Sequence, residues 1–147
     1  MTAYRIILFL MVSLLLVNCS SEPQPINYNK DECAHCMMMI TDPKFGSELV
    51  TDKGKVYKFD SIECMADYVS VDRGFTAESL WISDYANPNS LTDAVSAYYI
   101  VSPKMESPMS MNIGGFKNKS DMEKVFAEMS GQKMNWKDVL NYVKNSK

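Results

Sequence analysis

The sequence contains one histidine and no long run of basic residues. Among 147 residues only His35 is a histidine, so a catalytic or metal site built from several histidines is not expected. The 15 basic residues are outnumbered by 18 acidic ones, and the formal net charge is −3. Nucleic-acid binding through phosphate neutralisation is therefore not expected either. A hydrophobic content of 46% and a charged content of 22% exclude a mainly disordered chain and a multi-span membrane protein.

Sulfur is what the sequence has in excess. It contains four cysteines and twelve methionines, and methionine is not among the residues that a typical domain uses most. The length indicates one domain, or two very small ones. Because a chain of this size buries enough surface to fold without cross-links, the cysteines need a reason other than stability.

Residues 1–18 have the features of an export signal. Arg5 precedes the apolar run Ile6–Val17, which is too short to cross a membrane but suits a signal peptide. Cys19 follows directly, in a pattern that resembles the lipobox of bacterial lipoproteins. The resemblance implies that Cys19 is lipidated, that residues 19–30 include a polar tether, and that the protein is anchored on the extracytoplasmic side of a membrane in the bacterial cell envelope.

Three cysteines would then be available for chemistry. An odd number of thiols cannot all pair within one chain. In an oxidising compartment this disfavours a simple disulfide framework and favours a metal site or a redox-active pair.

The rest of the chain predicts an α+β fold of two consecutive ββαβ units with small antiparallel or mixed sheets. Runs rich in β-branched and aromatic residues indicate strands, and apolar residues at helical spacing indicate helices. The elements expected in the first unit, about residues 31–86, are strands 48–51, 55–59 and 79–83 and a helix over 61–70. Those expected in the second unit, about residues 91–147, are strands 97–101, 109–113 and 132–135 and helices 120–128 and 136–143.

Two capping boxes are expected at the starts of helices. Asp60 with Glu63, and Ser120 with Glu123, have the required spacing of three residues.

The most informative motif is the C-x-x-C formed by Cys33 and Cys36. Its two sulfurs can bind one ion or each other. A thioredoxin-like oxidoreductase needs a strand before the motif and a long helix after it. Residues 27–32 are polar, and Pro43 and Gly46 interrupt any helix soon after the motif, so the oxidoreductase hypothesis is disfavoured.

A structural zinc site of an interaction module is an alternative. Four candidate ligands can be counted as Cys33, His35, Cys36 and Cys64. His35 lies inside the C-x-x-C motif, where its backbone position makes it a strained ligand for the same ion.

Copper is favoured by the soft ligands nearby, since thiolate and thioether sulfur suit Cu(I). Met38 follows Cys36 by two residues and lies on the same side of an extended segment. Residues 104–111 add three more methionines, and Met109 and Met111 would share one face of a strand.

Methionine also fills gaps in hydrophobic cores. The methionines expected to do so are Met65, Met122, Met129 and Met134. For the methionines of residues 105–111 the pattern suits packing and metal binding equally. Because three consecutive side chains cannot all face one core, one or two of Met37–Met39 are expected to pack.

Residues 33 to about 143 resemble the NosL family, lipoproteins that supply copper to nitrous oxide reductase. The resemblance is carried by the Cys33-x-x-Cys36-x-Met38 motif, by Phe59-Asp60 between the hairpin and the short helix, by Ser107-Pro-Met109, and by the glycine-containing segment 130–136. Met37 and Ser110 depart from the family pattern, which usually has glycine at both positions.

The resemblance implies a membrane-anchored protein that is not an enzyme and that binds Cu(I) through few sulfur ligands. The site residues that it implies are Cys33, Cys36, Met38 and Met109, with Cys64, Met111 and His35 as further candidates. Cys64 also has a spacing similar to that of TRASH-type metal modules, and a buried free cysteine is the alternative. Nitrous oxide reductase is the expected recipient, and a membrane copper-loading complex is a further expected partner. Copper supply to another extracytoplasmic enzyme, or a role as a copper sink, is the alternative.

Overall fold

The structure is a computed structural model that describes residues 21–146. The expected signal segment and Cys19 lie outside the described residues. Within residues 21–146, every helix is too short or too polar to cross a membrane.

Residues 21–146 fold into two ββαβ units with one extra strand between them and one helix after them. The strands are β1 (Ser47–Thr51), β2 (Val56–Phe59), β3 (Ala77–Ser83), β4 (Leu91–Asp93), β5 (Tyr98–Val101), β6 (Ile113–Phe116) and β7 (Gln132–Met134). The helices are α1 (Ile62–Val69), α2 (Lys119–Met129) and α3 (Trp136–Asn145). The α+β fold class and the repeated order of elements are confirmed.

The strands form two sheets in which every pair is antiparallel. The first sheet has the order β2-β1-β3-β4 and the second has the order β6-β5-β7. The sequence patterns did not predict β4, which is three residues long and pairs with the end of β3. It attaches the start of the second half of the chain to the first sheet.

The segment that precedes the first C-x-x-C cysteine is hydrogen-bonded to the first sheet. The carbonyl of Ser21 accepts hydrogen bonds from Ser79 Oγ at 2.6 Å and from Trp81 Nε1 at 3.3 Å. The carbonyl of Pro25 accepts one from Lys58 Nζ at 2.7 Å. These bonds use backbone carbonyls, and the buried side chain of Ile26 adds an apolar contact with the core.

Helix α1 begins one residue later than the sequence predicts. Ser61 is the N-cap, since its Oγ accepts a hydrogen bond from the Cys64 N–H at 3.2 Å. Ser47 Oγ donates to the Ser61 carbonyl at 2.8 Å and ties the cap to β1. The predicted capping box of Asp60 with Glu63 is therefore wrong, because the serine one residue on satisfies the helix terminus.

The caps of the later helices also differ from the prediction. Helix α2 begins after Asn118, which makes no side-chain capping bond, so the predicted box of Ser120 with Glu123 is wrong. Helix α3 has a complete capping box, in which Asn135 and Asp138 exchange hydrogen bonds of 3.1 Å.

The predicted strand 109–113 is wrong, since β6 begins only at Ile113. The residues before it form a loop in which Glu106, Ser110 and Asn112 have φ values of +46°, +62° and +61°. The left-handed conformation is incompatible with a continuous strand.

Side-chain bonds close this segment, residues 105–112, which we call the methionine loop. The Ser107 N–H donates to Asn112 Oδ1 at 3.1 Å, and the Asn112 N–H donates to Ser107 Oγ at 2.8 Å. Met109 and Met111 therefore lie on a closed loop and do not share a strand face.

The methionines expected in the core lie there. Met65, Met122 and Met134 are 0%, 4% and 9% exposed, and Met129 is half-buried against the cluster that includes Met122. Met105 also packs in the core at 3% exposure, so it anchors the methionine loop from its first residue.

The two sheets meet at Gly115 of β6. A Cβ atom added there would lie 2.1 Å from Ile82 Cδ1 of β3 and 3.2 Å from Ile62 Cδ1 of α1. The contact therefore requires a residue without a side chain, and it joins both sheets to helix α1.

We predict that Gly115→Ala destabilises the protein by about 1–3 kcal/mol, because the added methyl group overpacks the contact between the sheets. Urea denaturation of the wild type and the variant measures this difference. Val95→Ala, at a side chain that is 64% exposed, is the control and should change stability by less than about 0.5 kcal/mol. Equal stability of the Gly115→Ala variant and the wild type would contradict the close contact.

Candidate metal site

The C-x-x-C motif lies in a tight turn. The Met37 N–H donates to the Cys33 carbonyl at 3.0 Å, and the Cys33 N–H donates to the Met38 carbonyl at 2.8 Å. The first helix of the described residues begins only at Ile62. The motif therefore lacks the helix N-terminus that lowers the thiol pKa in many C-x-x-C oxidoreductases.

The turn is attached to the first sheet at its β2 edge. The Ala34 N–H donates to the carbonyl of Lys58, a β2 residue, at 2.8 Å. The Lys58 side chain forms an ion pair with Asp31 at 2.8 Å. These two bonds fix the turn on both sides of its first cysteine.

Four side chains converge beneath the turn: Cys33, Cys36, Asp60 and Cys64. One ligand atom from each lies within 4.8 Å of the other three, and the three cysteines are unpaired thiols. Cys33, Asp60 and Cys64 are buried, and Cys36 is partly exposed. We call this group the thiol cluster; its spacing allows a single metal ion to contact all four atoms.

Cys33 is the thiolate of the cluster. The hydrogen bond from the Cys64 thiol, helped by the backbone N–H groups of Cys36, Asp60 and His35, outweighs burial and lowers the pKa of Cys33 to about 6. Donors directed at a thiolate stabilise the charged form that binds metals.

The other two thiols are protonated at neutral pH. Burial, reinforced by the neighbouring Cys33, raises the pKa of Cys36 to about 11. The hydrogen bond to Cys33, together with burial, raises the pKa of Cys64 far above its usual range. A metal ion that binds at this cluster would therefore release protons.

Asp60 is the member of the cluster that the sequence interpretation assigned to another role. Its side chain is 1% exposed, and its Oδ1 has no hydrogen-bond partner. The sequence signal that could have identified Asp60 is the Asp60-Ser61 pair. One helix needs only one N-cap residue, so one of these two side chains is left for another role. Since Ser61 caps α1, the Asp60 carboxylate is available to the cysteines.

Cys64 also borders a small groove of about 70 Å³ on its other side. The side chains that line the groove are His35, Glu63, Cys64, Asp67, Met109, Met111 and Val143. His35 Nε2 lies 3.0 Å from Asp67 Oδ2, so the histidine is oriented by α1 and is not the fourth member of the thiol cluster. The structure thus brings Met109, Met111 and His35 together around Cys64.

Met38 approaches the cluster through its backbone. Its N–H donates to the Cys36 thiol, while its side chain is 53% exposed. Met37 and Met39 are 69% and 51% exposed, so the expectation that one or two of these methionines pack is wrong. The turn at Met37, with φ of +63°, projects all three side chains away from the core.

The donor set suits a soft metal ion. Three thiolates and a carboxylate form a set that zinc accepts, whereas thiolates with neighbouring thioethers are typical of Cu(I) sites. The geometry therefore supports binding of a thiophilic metal, with the identity of the ion depending on whether the methionines take part.

Comparisons with known proteins identify a family and a similar solved structure. The family model described as NosL matches residues 25–143. The crystal structure of the copper chaperone NosL from Shewanella denitrificans matches with a TM-score of 0.70 and 25% sequence identity, over 80% of this chain and 95% of that chain. Among curated proteins, none matches the sequence.

We predict that Cys36 is the first of the three cluster thiols to react with iodoacetamide in the reduced, metal-free protein. Cys33 and Cys64 are 0% and 2% exposed, whereas Cys36 is partly exposed. Because the pKa of Cys36 is about 11, its rate should rise about tenfold per pH unit from pH 7 to 9. Mass spectrometry of digested protein measures each site. Faster modification of Cys33, or a rate independent of pH, would contradict the described burial and pKa.

Proposed function

Because the chain belongs to the NosL family, we propose that it is a copper chaperone that binds Cu(I), and not an enzyme. The observation that carries the proposal is the convergence of three unpaired thiols and Asp60 within 4.8 Å. Thiolates are the soft ligands that Cu(I) prefers. The similar structure from Shewanella denitrificans is itself described as a copper chaperone.

A structural zinc site is the second candidate, and Asp60 is the observation that favours it. A carboxylate with three thiolates completes a closed set of four zinc ligands. The thioethers of Met109 and Met111 beside Cys64 favour copper instead. The two candidates therefore differ in whether methionine sulfur responds to the metal.

Release of copper requires ligands that reach the surface. Cys33 and Cys64 are buried, Cys36 is partly exposed, and Met38 and Met109 are 53% and 38% exposed. This gradient supports transfer by ligand exchange, in which a partner's ligands replace the exposed sulfurs before the buried ones.

The proposed position of the protein is at the extracytoplasmic side of a membrane, with residues 1–18 removed and Cys19 lipidated. Ser21 is held against the first sheet by Ser79 and Trp81. A lipid on Cys19 would therefore be two residues from the attached segment, and the domain formed by residues 31–147 would lie close to the membrane surface.

The proposed recipient is nitrous oxide reductase, with a membrane copper-loading complex as a further partner. Family membership supports this recipient. Supply to another extracytoplasmic copper enzyme, or copper storage, is the alternative that the recipient experiment distinguishes.

We predict that the reduced full chain binds about one equivalent of Cu(I) tightly and that the Cys33→Ser/Cys36→Ser variant does not. The substitutions remove two of the three thiols of the cluster. Anaerobic titration against a chromophoric Cu(I) chelator measures the affinity. Met129→Leu, at a half-buried core position, is the control and should bind as the wild type does.

Two results of this titration would count against copper. Unchanged affinity in the double variant would place Cu(I) elsewhere. Co-purified zinc that Cu(I) does not displace, together with unfolding on chelation, would favour the structural zinc site.

We predict that cells producing only the Cys33→Ser/Cys36→Ser variant make nitrous oxide reductase with less copper than wild-type cells. The enzyme would lose its copper supply while its own synthesis continues. Metal analysis of the purified reductase measures the copper content per subunit, and cells producing Met129→Leu are the control. A fully loaded reductase in the double-variant cells would contradict this recipient and favour another.

A further inference from the structure

Glu63 is a buried carboxylate with no assigned role in metal binding. Its side chain is 2% exposed, next to Cys64 on α1. Its Oε1 accepts a hydrogen bond from Ser107 Oγ, and its Oε2 has no hydrogen-bond partner. A buried acidic oxygen without a partner costs free energy. The acid therefore does not serve stability as well as an apolar side chain would.

The Glu63 carboxyl contacts the methionine loop at two points. Burial raises the pKa of Glu63, while the Ser107 hydroxyl and the Met111 N–H act in the opposite direction. These two groups belong to the methionine loop, and Ser107 is 44 residues from Glu63 in the sequence. The backbone N–H of Glu63 itself also lowers this pKa. The carboxyl is thus the polar link between helix α1 and the loop.

The loop needs such a link because its backbone is strained. Three of its residues adopt left-handed conformations without being glycine: Glu106, Ser110 and Asn112. Conformations of this kind persist only where the surroundings restrain them. Ser107 restrains the loop and also joins it to helix α1. Its hydroxyl donates to Glu63 of α1 and accepts from the Asn112 N–H of the loop at 2.8 Å.

We propose that Glu63 is a positioning residue that holds Met109 and Met111 beside Cys64, so that their thioethers take part in binding the metal. The three sulfur residues and Glu63 line the same groove. The inference rests on the proposed function, because it assumes that Cu(I) is bound at Cys64. It adds that a carboxylate without direct metal contact sets which sulfurs the ion meets.

The chain offers a matched control at Glu48. This residue is 0% exposed on β1, and its Oε1 accepts a hydrogen bond from the Gln24 N–H at 2.7 Å. Its Oε2 also has no hydrogen-bond partner. Glu48 therefore reproduces the burial and the unpaired oxygen of Glu63, but it holds the N-terminal segment and not the methionine loop.

The test compares the reduced full chain as wild type, Glu63→Leu, Glu63→Gln, Ser107→Ala and Glu48→Leu, each labelled with 13C at the methionine methyl groups. Cu(I) is added anaerobically, and the affinity and the methyl resonances are measured. In the wild type, the resonances of Met109 and Met111 should shift. In Glu63→Leu and Ser107→Ala these shifts should disappear, and the affinity should fall about 10–100-fold, as for other residues that orient ligands.

The remaining variants separate positioning from folding. Glu63→Gln keeps an oxygen that accepts from Ser107, so it should retain the methyl shifts. Glu48→Leu should keep wild-type affinity and shifts even where its stability changes. Ser107→Ala leaves the carboxyl in place and tests the link if Glu63→Leu does not fold.

Two outcomes would overturn the inference without affecting the proposed function. Wild-type affinity and methyl shifts in both Glu63→Leu and Ser107→Ala would remove the positioning role. Tight Cu(I) binding by the wild type without any response of Met109 and Met111 would overturn the inference and leave the proposed chaperone intact. Absence of Cu(I) binding by the wild type would instead overturn the proposed function, and the inference with it.

Discussion

The burial of helix α1 between the two sheets is the constraint on which the site depends. A helix of eight residues does not persist alone in water, and here its stability comes from packing, since Ile62, Met65 and Ala66 are 0%, 0% and 1% exposed. Gly115 allows the second sheet to approach the same helix. These contacts fix the rotation of α1. In that orientation Cys64 reaches Cys33 of the C-x-x-C turn, Glu63 reaches Ser107 of the methionine loop, and Tyr68 packs on Phe59.

The two sides of Cys64 follow from this single orientation. On one side its thiol donates to Cys33, and on the other it borders a groove with Met109 and Met111. The cluster thiols differ in pKa because of their positions, since all three are cysteines. Cys33 is as buried as Cys64, yet it alone receives several donors, and it alone has a lowered pKa. In a cluster of hydrogen-bonded cysteines, one thiol can therefore be a thiolate at neutral pH while the other two remain protonated.

The sequence predicted the parts of this arrangement that depend on local patterns. Strand alternation and helical spacing predicted the order of elements, and the C-x-x-C spacing predicted that the sulfurs of Cys33 and Cys36 can come together, as they do in the thiol cluster. The prediction failed where distant contacts decide between equal local choices. Asp60 and Ser61 are both good N-cap residues. In the structure Ser61 is the N-cap, and its carbonyl accepts a hydrogen bond from the distant Ser47. Polar and apolar residues alternate over 109–113 as in a strand. The residues before Ile113 nevertheless form a loop, which the hydrogen bond from Ser107 to Glu63 attaches to helix α1. Neither contact leaves a periodic signal.

The buried acidic oxygens lower the stability of the metal-free protein, and two of them lie beside the proposed metal site. Among residues 21–146, the buried side-chain oxygens without a hydrogen-bond partner belong to Glu48, Asp60 and Glu63. Two of these three lie at the start of α1, beside Cys64. In a metal-free protein, such oxygens only cost free energy. A cation at the thiol cluster would supply the partner that Asp60 Oδ1 lacks, and the free energy lost in folding would then be recovered on binding. A site built in this way would stabilise the loaded protein more than the empty one, and the proposed copper binding would then be linked to folding stability.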